Sequence, residues 1–373
     1  MKVLMFSTDK SVLEKDSLAQ KRLVEYGTLA EKLFIVVLSK KKNNNQPVAI
    51  SQNTTVCSAW FWSAWNSGKK FKNQNIDLIT SQDPFETGLI GYLAACRLKA
   101  KLQLQIHTDF LSPYFIKGSF KNRIRVWLAK FLLPKADSIR VVSQRIKRSL
   151  LTIQQFNNIT ISVLPIFVDV QKIQSAPVTV DLHKKYPQFD FIILMASRLT
   201  REKNISLAIT AMSKVVKTNS KVGLIIIGDG PEKDGLQLAT INSQLSTSII
   251  FELWTDSLAS YYKTADAFLN SSNYEGYGRT LIEAASAGCP IITTNVGVVG
   301  LARRSLGEGG EAINKDNSLV VPVGDAAALA ASMMKLIENK SLRQALSLKV
   351  KDAVANLGNK EAYLEKYKQS WQV

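Results

Sequence analysis

The sequence predicts an α/β fold with two doubly wound, Rossmann-like domains, each built on a parallel sheet. The chain has 373 residues, enough for two domains that each bury a hydrophobic core. Short apolar runs alternate with longer amphipathic stretches almost from end to end, as in a parallel sheet covered by helices on both faces. This alternation pauses at residues 171–190 and then starts again.

The first half contains six candidate strands and three candidate helices. Each strand is a short apolar run bounded by polar or turn-forming residues, and each helix repeats its apolar side chains every three to four positions. The predicted strands are Val3–Phe6, Leu33–Leu38, Ile76–Thr80, Leu102–His107, Ser138–Val142 and Ile161–Pro165. The predicted helices are Ser17–Lys32, Glu86–Leu98 and Lys121–Leu133, and residues 41–46 are predicted to form a polar surface loop.

The second half repeats the same alternation after a polar stretch that holds Pro177 and Pro187. We interpret residues 171–190 as a hinge or linker. The predicted strands are Phe191–Ala196, Val222–Ile227, Ser248–Phe251, Ala267–Asn270, Pro290–Thr294 and Ser318–Val321. The predicted helices are Asn204–Thr218, Pro231–Gln244, Ser257–Ala265, Thr280–Ala287, Ala326–Glu338 and Lys360–Trp371.

These elements predict two domains with a ligand cleft between them. We assign residues 1–170, joined by a crossing helix at 358–373, to the N-terminal domain, and residues 171–357 to the C-terminal domain. In doubly wound sheets the ligand binds at the carboxyl ends of the strands, so we expect the site at the interdomain cleft.

Positive charge is concentrated in the first half of the chain. The formal net charge is +18, and residues 1–175 hold 26 basic residues against 11 acidic ones. Nucleic acid, an anionic membrane surface and a phosphorylated substrate are all compatible with this charge.

Composition excludes several classes of protein. Cys57, Cys96 and Cys289 are far apart and lack CxxC spacing, which excludes a disulfide scaffold and a cysteine-built zinc site. With only His107 and His183, a histidine-rich metal cluster is excluded as well. No apolar run approaches the roughly 18 residues that span a bilayer. Because the N-terminal residues form a predicted strand rather than a signal peptide, we expect a cytoplasmic protein.

A basic loop follows the predicted strand Phe191–Ala196. Arg198 and Lys203 lie in it, between the strand end and the start of a helix. Two cations beside free backbone N–H groups suit a diphosphate, since arginine grips phosphate oxygens bidentately and lysine adds a point charge. The alternative is a solvated basic loop without a ligand.

A glycine turn, Gly228-Asp229-Gly230-Pro231, follows the next predicted strand. Glycine permits a close backbone approach, and proline suits a first helical position. The turn matches neither a dinucleotide fingerprint nor a P-loop. An ordinary strand-to-helix turn is therefore the alternative interpretation.

Two carboxylates, Glu275 and Glu283, stand eight positions apart across a glycine-containing turn. The turn opens a predicted helix, whose free N–H groups favour an anionic group. Carboxylates accept hydrogen bonds from sugar or ribose hydroxyls. In the alternative interpretation, Glu275 caps the helix and Glu283 lies on its surface.

Taken in order, these motifs resemble retaining glycosyltransferases of family 4, which have the two-domain GT-B fold. The R-x(4)-K loop, the Gly-Asp-Gly-Pro turn and the E-x(7)-E pair follow one another as in that family. Weaker matches extend the resemblance over nearly the whole chain, at Gln105–Asp109, Val141–Ser143, Pro165–Asp169 and Leu319–Asp325. The resemblance implies a hexosyltransferase-type enzyme of polysaccharide or glycolipid biosynthesis. Its nucleotide-diphosphate sugar is a substrate, so no cofactor is expected.

The resemblance also implies a role for each candidate residue. Arg198 and Lys203 would hold the donor diphosphate and stabilise it as it leaves. Glu275 would touch the donor sugar, Glu283 would accept a hydrogen bond from the ribose, and His107 matches a histidine near the transferred sugar. The other predicted donor-binding residues are Gly228, Gly276, Tyr277, Gly278, Arg279 and Thr280.

Two features of the sequence depart from the family pattern, and the absence of a third motif bears on metal use. Residues 7–10 replace the glycine-rich loop that family members often carry after the first strand. Arg279 stands where many members have an aliphatic residue, and it would either add a phosphate contact or face solvent. No Asp-x-Asp motif occurs, so we expect metal-independent stabilisation of the leaving group.

Two aromatic segments in the basic half leave alternatives open. One is the helical stripe Phe120, Ile124, Trp127, Leu128 and Phe131, which is flanked by Lys121, Arg123, Arg125 and Lys130. This helix would dock on an anionic membrane on the cytoplasmic side, or pack into the core with a basic rim. The other segment, with Trp60, Trp62 and Trp65, would contact a lipid or sugar acceptor or belong to the core.

The expected partners are a nucleotide-diphosphate sugar, a glycan or lipid-linked acceptor, and an anionic membrane surface reached by the N-terminal domain. Two alternatives remain: another GT-B chemistry such as nucleotide-sugar epimerisation or phosphorolysis, and a non-catalytic protein that binds nucleic acid or membrane. No RNP, KH or zinc-finger signature occurs, so we expect no nucleic acid partner.

Overall fold

The computed structural model describes residues 1–39, 46–60, 70–153, 159–300 and 312–372. The chain divides into two compact units. The N-terminal unit comprises Met1–Pro165 and Lys360–Val373, and the C-terminal unit comprises Ile166–Asn359.

The N-terminal unit is built on an eight-stranded sheet. Its strands are β1 (Lys2–Ser7), β2 (Lys32–Leu38), β3 (Val48–Ala49), β4 (Thr54–Ala59), β5 (Leu78–Ser81), β6 (Lys101–Ile106), β7 (Ser138–Val141) and β8 (Thr160–Val163). Their order is β3-β4-β2-β1-β5-β6-β7-β8, and all pairings are parallel except the one between β3 and β4. From β4 to β7 this is the Rossmann order, with its switch point between β1 and β5.

Helices bury both faces of this sheet, which explains why its central strands are almost uninterrupted apolar runs. Residues 3–6 of β1 are fully buried. A core cluster joins β1 and β2 to Leu23 and Tyr26 of the first helix and to Tyr367 and Trp371. The helices of the unit are Leu18–Gly27, Glu86–Leu98, Pro113–Gly118, Phe120–Leu132, Gln144–Leu151 and Lys360–Gln369.

The C-terminal unit contains a fully parallel six-stranded sheet and a small two-stranded one. The strands are β9 (Phe191–Ala196), β10 (Val222–Ile227), β11 (Ile249–Glu252), β12 (Ala267–Asn270), β13 (Ile291–Thr294), β14 (Val299–Gly300), β15 (Ile313–Asn314) and β16 (Leu319–Val321). The large sheet has the order β11-β10-β9-β12-β13-β16, and β14 pairs with β15. The helices are Val170–Ser175, Leu182–Lys185, Ile205–Val215, Lys233–Asn242, Leu258–Thr264, Arg279–Ser286, Ala326–Glu338 and Lys340–Val354.

The strand order places two loops of the C-terminal unit side by side. β9 and β12 are neighbours at the switch point of the sheet, and both run in the same direction. The loops at residues 197–204 and 271–278 therefore leave the same edge of the sheet. This edge is where doubly wound domains bind their ligands.

All twelve predicted strands overlap observed ones, and the predicted α/β class is confirmed. The structure adds β4, whose polar residues did not suggest a strand, and the two-residue strands β3, β14 and β15, which are too short to show a pattern. The predicted helix Ser17–Lys32 was too long, because the chain turns at Gly27. A Cβ at Gly27 would lie 1.9 Å from Oγ1 of Thr54, so this close contact requires glycine.

The segment 171–190 is not the open linker that its polar sequence suggests. It contains parts of two short helices and is held against the helix Leu258–Thr264 within the C-terminal unit. The Thr179 amide donates to Oγ of Ser260 at 3.0 Å, and Nζ of Lys263 donates to the carbonyl of Gln174 at 2.8 Å. The segment is therefore packed within the C-terminal unit.

The helix Phe120–Leu132 buries a different face from the one that its large apolar residues suggest. Val126, Ala129 and Leu132 are buried. Most of the predicted apolar stripe is on the surface, with exposures of 75% for Phe120, 50% for Ile124, 68% for Trp127 and 46% for Phe131. Core packing of that stripe was therefore wrong.

Three further predictions concern the surface of the protein. Trp60 is 53% exposed, whereas Trp62, Trp65 and residues 41–45 of the predicted polar loop lie outside the described residues. In the described ranges, no helix combines the length and apolar character needed to cross a bilayer.

Candidate functional site

Lys203 and Glu275 meet at the switch point of the C-terminal sheet, although 72 positions separate them. Nζ of Lys203 donates to Oε1 of Glu275 at 2.5 Å, and the two side chains are only 16% and 13% exposed. Oγ of Ser272 lies 2.8 Å from the same carboxylate oxygen. The pair is thus a largely buried ion pair in which the lysine keeps two further N–H donors.

Polar contacts fix the two loops that carry this pair. Oγ of Ser271 lies 3.0 Å from the carbonyl oxygens of both Lys203 and Asn204. Nδ2 of Asn204 donates to Oδ1 of Asn273 at 2.9 Å, and the Asn273 amide donates to the Glu202 carbonyl at 2.8 Å. These contacts make the position of Lys203 a property of the fold rather than of a mobile side chain.

Sequence reasoning missed these serines and asparagines. A signal was present, since a polar Ser-Ser-Asn run directly follows the apolar strand β12. Which loop this run contacts could not be known without the strand order.

Arg198 lies in the same loop as Lys203 but is exposed. Its side chain is 77% exposed, and its nearest acid is Glu202, with Nη2 at 3.5 Å from Oε1. Oγ1 of Thr200 donates to the same carboxylate oxygen at 2.7 Å. Arg198 is therefore a cation on a long side chain, beside the fixed cation of Lys203.

Gly228 is required by the packing of its own backbone. Its φ is +146°, and a Cβ at this position would lie 1.9 Å from the carbonyl oxygen of Ser197. Gly230, with φ of +158°, likewise faces the Leu199 carbonyl at 2.4 Å. The glycine turn thus supports the loop of Arg198, and its predicted contact with the donor stays a prediction.

Within the described residues, no side chain caps the start of the helix Arg279–Ser286. Gly278 is the N-cap residue, with φ of +91°, and the first turn donates to no described side chain. Glu275 is therefore not the capping acid of the alternative interpretation. Gly276 and Thr280 are half-buried and Tyr277 is buried beside these amides, so the arrangement suits an anion.

Glu283 is buried at 7% exposure, which rules out the helix-surface interpretation. Nε of Arg279 donates to its Oε1 at 2.6 Å, and Oη of Tyr262 donates to its Oε2 at 3.1 Å. Burial and then the Glu283 charge raise the pKa of Tyr262 well above its usual value, so its proton stays in this bond. A carboxylate accepts about four hydrogen bonds, so capacity for a hydroxyl donor remains.

His107 lies in the N-terminal unit and is exposed immediately after β6. Its Nε2 is 3.1 Å from Oε1 of Gln105. Lost hydration, followed by the positive charges of Arg140 and Arg22, lowers the pKa of the imidazole below its usual range. The two guanidinium charges act on an imidazole that is exposed, and they disfavour its protonated form. The structure thus favours a neutral imidazole at this position.

In the part of the chain that the structure describes, no group of three or more histidine, cysteine or acidic residues could hold a metal ion. The charged groups described at the switch point form two ion pairs, Lys203 with Glu275 and Arg198 with Glu202.

Two family descriptions match consecutive stretches of this sequence. "Glycosyltransferase Family 4" matches residues 46–172, and "Glycosyl transferases group 1" matches residues 182–352. The chain belongs to the group 1 and family 4 glycosyltransferases. The resemblance drawn from the motifs is thereby confirmed.

Two relatives of this chain come from Streptococcus pneumoniae and Staphylococcus aureus. The alpha-monoglucosyldiacylglycerol synthase of Streptococcus pneumoniae is 28% identical over 232 residues, which are 59% of this chain and 52% of that protein. The chain thus spans about half the length of that relative. The capsular polysaccharide biosynthesis glycosyltransferase CapM of Staphylococcus aureus is 25% identical over 294 residues, covering 77% of this chain and 74% of CapM.

Solved structures confirm the GT-B fold. Sucrose-phosphate synthase from Thermosynechococcus elongatus has a TM-score of 0.78 at 19% identity, and the match covers 100% of this chain and 98% of that one. HepE of Anabaena, in complex with UDP-glucose, has a TM-score of 0.75 at 16% identity, with 100% and 99% covered. At such identities the likeness establishes the architecture.

Proposed function

We propose that the protein is a retaining glycosyltransferase. It moves a sugar from a nucleotide-diphosphate sugar onto a glycan, glycolipid or lipid-linked acceptor without using a metal ion. The observation that supports this proposal most is the meeting of Lys203 and Glu275 at the switch point of the C-terminal sheet, within 2.5 Å. In a bound nucleotide sugar, the cation of Lys203 would contact the diphosphate and the carboxylate of Glu275 would contact the sugar.

The leaving diphosphate is stabilised by cations that the fold holds in advance. Glu275 takes one N–H of Lys203 and orients it, so the other two remain for phosphate oxygens. Arg198 adds a bidentate donor, and the uncapped start of the helix Arg279–Ser286 adds backbone N–H groups. Such preorganised donors contribute several kcal/mol, of the order of 3 kcal/mol each, to transition-state stabilisation. This is the role that a metal ion has in other transferases.

The two carboxylates recognise hydroxyl groups of the donor. Glu275 accepts from the sugar and Glu283 from the nucleotide ribose. Tyr262 and Arg279 hold Glu283 in place, so its remaining lone pairs have a fixed direction. We assign no protein nucleophile, in keeping with a front-side, retaining transfer.

The relatives support the classes of donor and acceptor. HepE is described in complex with UDP-glucose. The Streptococcus relative is named for a glycolipid product and the Staphylococcus relative for capsular polysaccharide. We therefore place the protein in polysaccharide or glycolipid biosynthesis.

The diphosphate role is tested by a matched pair of variants in one loop. Arg198→Ala removes a proposed phosphate ligand, whereas Arg201→Ala removes an exposed cation three positions away. With UDP-, GDP- and ADP-sugars as donors and EDTA present, we expect Arg198→Ala to lower turnover by about a hundredfold. Arg201→Ala should stay near the parent. Equal turnover of both variants would contradict the diphosphate role, and inversion at the anomeric carbon in product NMR would contradict retention.

We also propose that the exposed stripe of the helix Phe120–Leu132 docks on an anionic membrane at the cytoplasmic face. The rings of Trp127 and Phe131 stack on the surface, with centroids 6.1 Å apart, and Lys121, Arg123 and Lys130 are exposed around them. Aromatic side chains enter the interface between headgroups and acyl chains, while lysine and arginine bind anionic headgroups. A lipid-linked acceptor would be reached from this position.

Vesicle sedimentation tests the docking. The full chain should bind vesicles that contain anionic lipid and release them at high salt, and Trp127→Ser/Phe131→Ser should abolish binding. Leu238→Ser/Ile241→Ser is the matched control, because it removes two similarly exposed apolar side chains from another helix. Equal binding to neutral and anionic vesicles at low salt would count against docking.

A further inference from the structure

Polar side chains run along one face of β6 and end at His107. Gln103 and Gln105 alternate with Leu102, Leu104 and Ile106, so the two glutamines and His107 project to the same face. Gln103 is fully buried and Gln105 is 1% exposed. Burying an amide in a central strand costs free energy unless its N–H and C=O groups have hydrogen-bond partners. The identity of those partners therefore determines how each amide is oriented.

One end of this polar row is fixed by a backbone carbonyl. Nε2 of Gln103 donates to the carbonyl oxygen of Ser370, and that oxygen only accepts. Oε1 of Gln103 therefore faces Thr80, whose hydroxyl donates to it at 3.1 Å. The Thr80 oxygen in turn accepts from Nε2 of Gln105 at 2.7 Å. The direction of each bond follows from the one before it.

The other end is fixed by a guanidinium group. Arg140 is directly opposite Gln105 in the pairing of β6 with β7, and its Nη2 donates to Oε1 of Gln105 at 2.5 Å. Arginine only donates, so the atom that faces it must be the amide oxygen. Both ends of the row thus require the same orientation of the Gln105 amide.

This orientation determines the protonation of His107. Its Nε2 is 3.1 Å from Oε1 of Gln105, an atom that can only accept, so Nε2 must carry the proton. We infer that Gln105 and Arg140 are positioning residues that hold His107 in a single neutral tautomer, with Nε2 protonated and Nδ1 presented as a hydrogen-bond acceptor. This assignment deepens the proposed function, on which its consequence for the substrate rests.

The surroundings of Arg140 keep this arrangement in place. Arg140 is 4% exposed, and its guanidinium lies over the ring of Tyr367 at 4.2 Å. Tyr367 stacks on Tyr26 with ring centroids 4.0 Å apart. Nε and Nη1 of Arg140 have no hydrogen-bond partner within the described part of the chain. Among the described residues no carboxylate pairs with Arg140, and a buried cation of this kind opposes a second positive charge on His107.

The chemical consequence concerns a hydroxyl of the substrate. A neutral imidazole whose Nε2–H is engaged can accept a hydrogen bond only through Nδ1. His107 therefore receives a proton donor, such as a sugar hydroxyl, and orients it without donating to it. Losing the orientation should lower kcat by about tenfold to a hundredfold, the scale of a misplaced catalytic contact.

The tautomer can be read directly by NMR, because the chain has only two histidines. Long-range ¹H–¹⁵N spectra of the full chain, assigned with His183→Gln, should show His107 near neutral pH with a protonated Nε2 and a bare Nδ1. Gln105→Met should give a mixture of tautomers and lower kcat. Gln105→Glu keeps the acceptor and should restore the proton on Nε2. Gln52→Met makes the same change at an exposed glutamine and should alter neither the His107 tautomer nor kcat.

An unprotonated Nε2 in the parent protein would overturn the inference. This measurement does not depend on whether any variant folds. An unchanged tautomer and kcat in Gln105→Met would overturn the positioning role. These outcomes are distinguishable from failure of the proposed function, because the tautomer is measured without substrate. If Arg198→Ala keeps full turnover while His107 is protonated on Nε2, the diphosphate role of Arg198 is contradicted and the tautomer assignment stands.

Discussion

Replacing Lys203 should affect both the stability and the activity of the C-terminal unit. Lys203 and Glu275 are 16% and 13% exposed, so Lys203→Met leaves a nearly buried carboxylate with the Ser272 hydroxyl as a remaining donor. Breaking a fully buried pair costs about 3–5 kcal/mol, and the small residual exposure reduces our expectation to about 2–4 kcal/mol. Turnover should also fall, because the fixed cation of the proposed diphosphate site is lost.

A double-mutant cycle separates the two effects. Lys203→Met/Glu275→Leu removes both charges, so no unpaired charge stays buried, and we expect a coupling free energy of about 1–3 kcal/mol. Turnover of the double variant should stay as low as that of Lys203→Met. Urea unfolding can be followed by ¹⁹F NMR of fluorotryptophan at Trp254, the one tryptophan that the sequence places between residues 166 and 359.

The control cycle uses an exposed pair in the same unit. Nζ of Lys233 lies 3.6 Å from Oδ1 of Asp229, and the aspartate is 68% exposed. Because such pairs contribute little, the Lys233→Met/Asp229→Leu cycle should show almost no coupling. Single-variant effects of Lys203 and Glu275 that add within about 0.5 kcal/mol would refute a direct interaction. Recovery of turnover in the double variant would refute the catalytic role of Lys203.

Three further substitutions test other parts of the structure. Gly297→Ala places a methyl 2.4 Å from the Tyr277 carbonyl at φ of +58°, and should destabilise the protein by at least about 2 kcal/mol in urea unfolding. Trp371→Ala empties a fully buried site and should cost about 3–5 kcal/mol by the same measurement. Burial alone would raise the pKa of Glu86, but hydrogen bonds from Arg125 lower it overall. The stability that this lowered pKa contributes is present above the unfolded pKa of about 4.3 and is lost as the pH falls through the folded pKa. In Arg125→Met, the free energy of unfolding should therefore decrease less between neutral and acid pH.

Each of these substitutions has a matched control. At Gly235 an added Cβ would have no heavy atom within 4 Å, so Gly235→Ala in a helix should stabilise by about 1 kcal/mol. Trp127→Ala removes a tryptophan that is 68% exposed and should leave stability nearly unchanged. Arg123→Met, at an exposed position, should keep the parent's pH profile. A control that matches its test variant would contradict the corresponding prediction.

Regular elements were predictable because burial imposes a simple pattern on them. β9 and β10 are apolar throughout, and short apolar runs bounded by turns identified all the central strands. β4 was missed because its Thr-Thr-Val-Cys-Ser-Ala sequence has little apolar character. Its burial comes from its neighbours in the sheet rather than from its own composition.

The buried face of the helix Phe120–Leu132 could not be read from the sequence. A helical stripe of large apolar residues was visible, but a second stripe, with Val126, Ala129 and Leu132, is the buried one. Leu132 packs against the helix Glu86–Leu98, where a Cβ at Gly88 would lie 3.4 Å from its Cδ1. Periodicity locates a stripe, and the shape of the opposing surface decides which stripe is buried.

The sequence predicted which residues form the candidate site but not which of them contact each other. The motifs identified Lys203 and Glu275, yet their ion pair depends on the adjacency of β9 and β12. The row from Ser370 to His107 had no sequence signal, because it joins three strands and a distant carbonyl. Such contacts depend on topology, which local pattern does not specify.

The position of the helix Lys360–Gln369 has a consequence for how the protein is made. Ribosomes synthesise residues 360–371 only after the whole C-terminal unit, and domains tend to fold as they emerge. Until then the N-terminal unit lacks Tyr367 and Trp371, both 1% exposed in its core. It also lacks the Ser370 carbonyl that orients the buried glutamines. A nascent N-terminal unit can therefore form its strands before His107 is held in its final orientation. That orientation is reached only after the helix Lys360–Gln369 has been synthesised and packed.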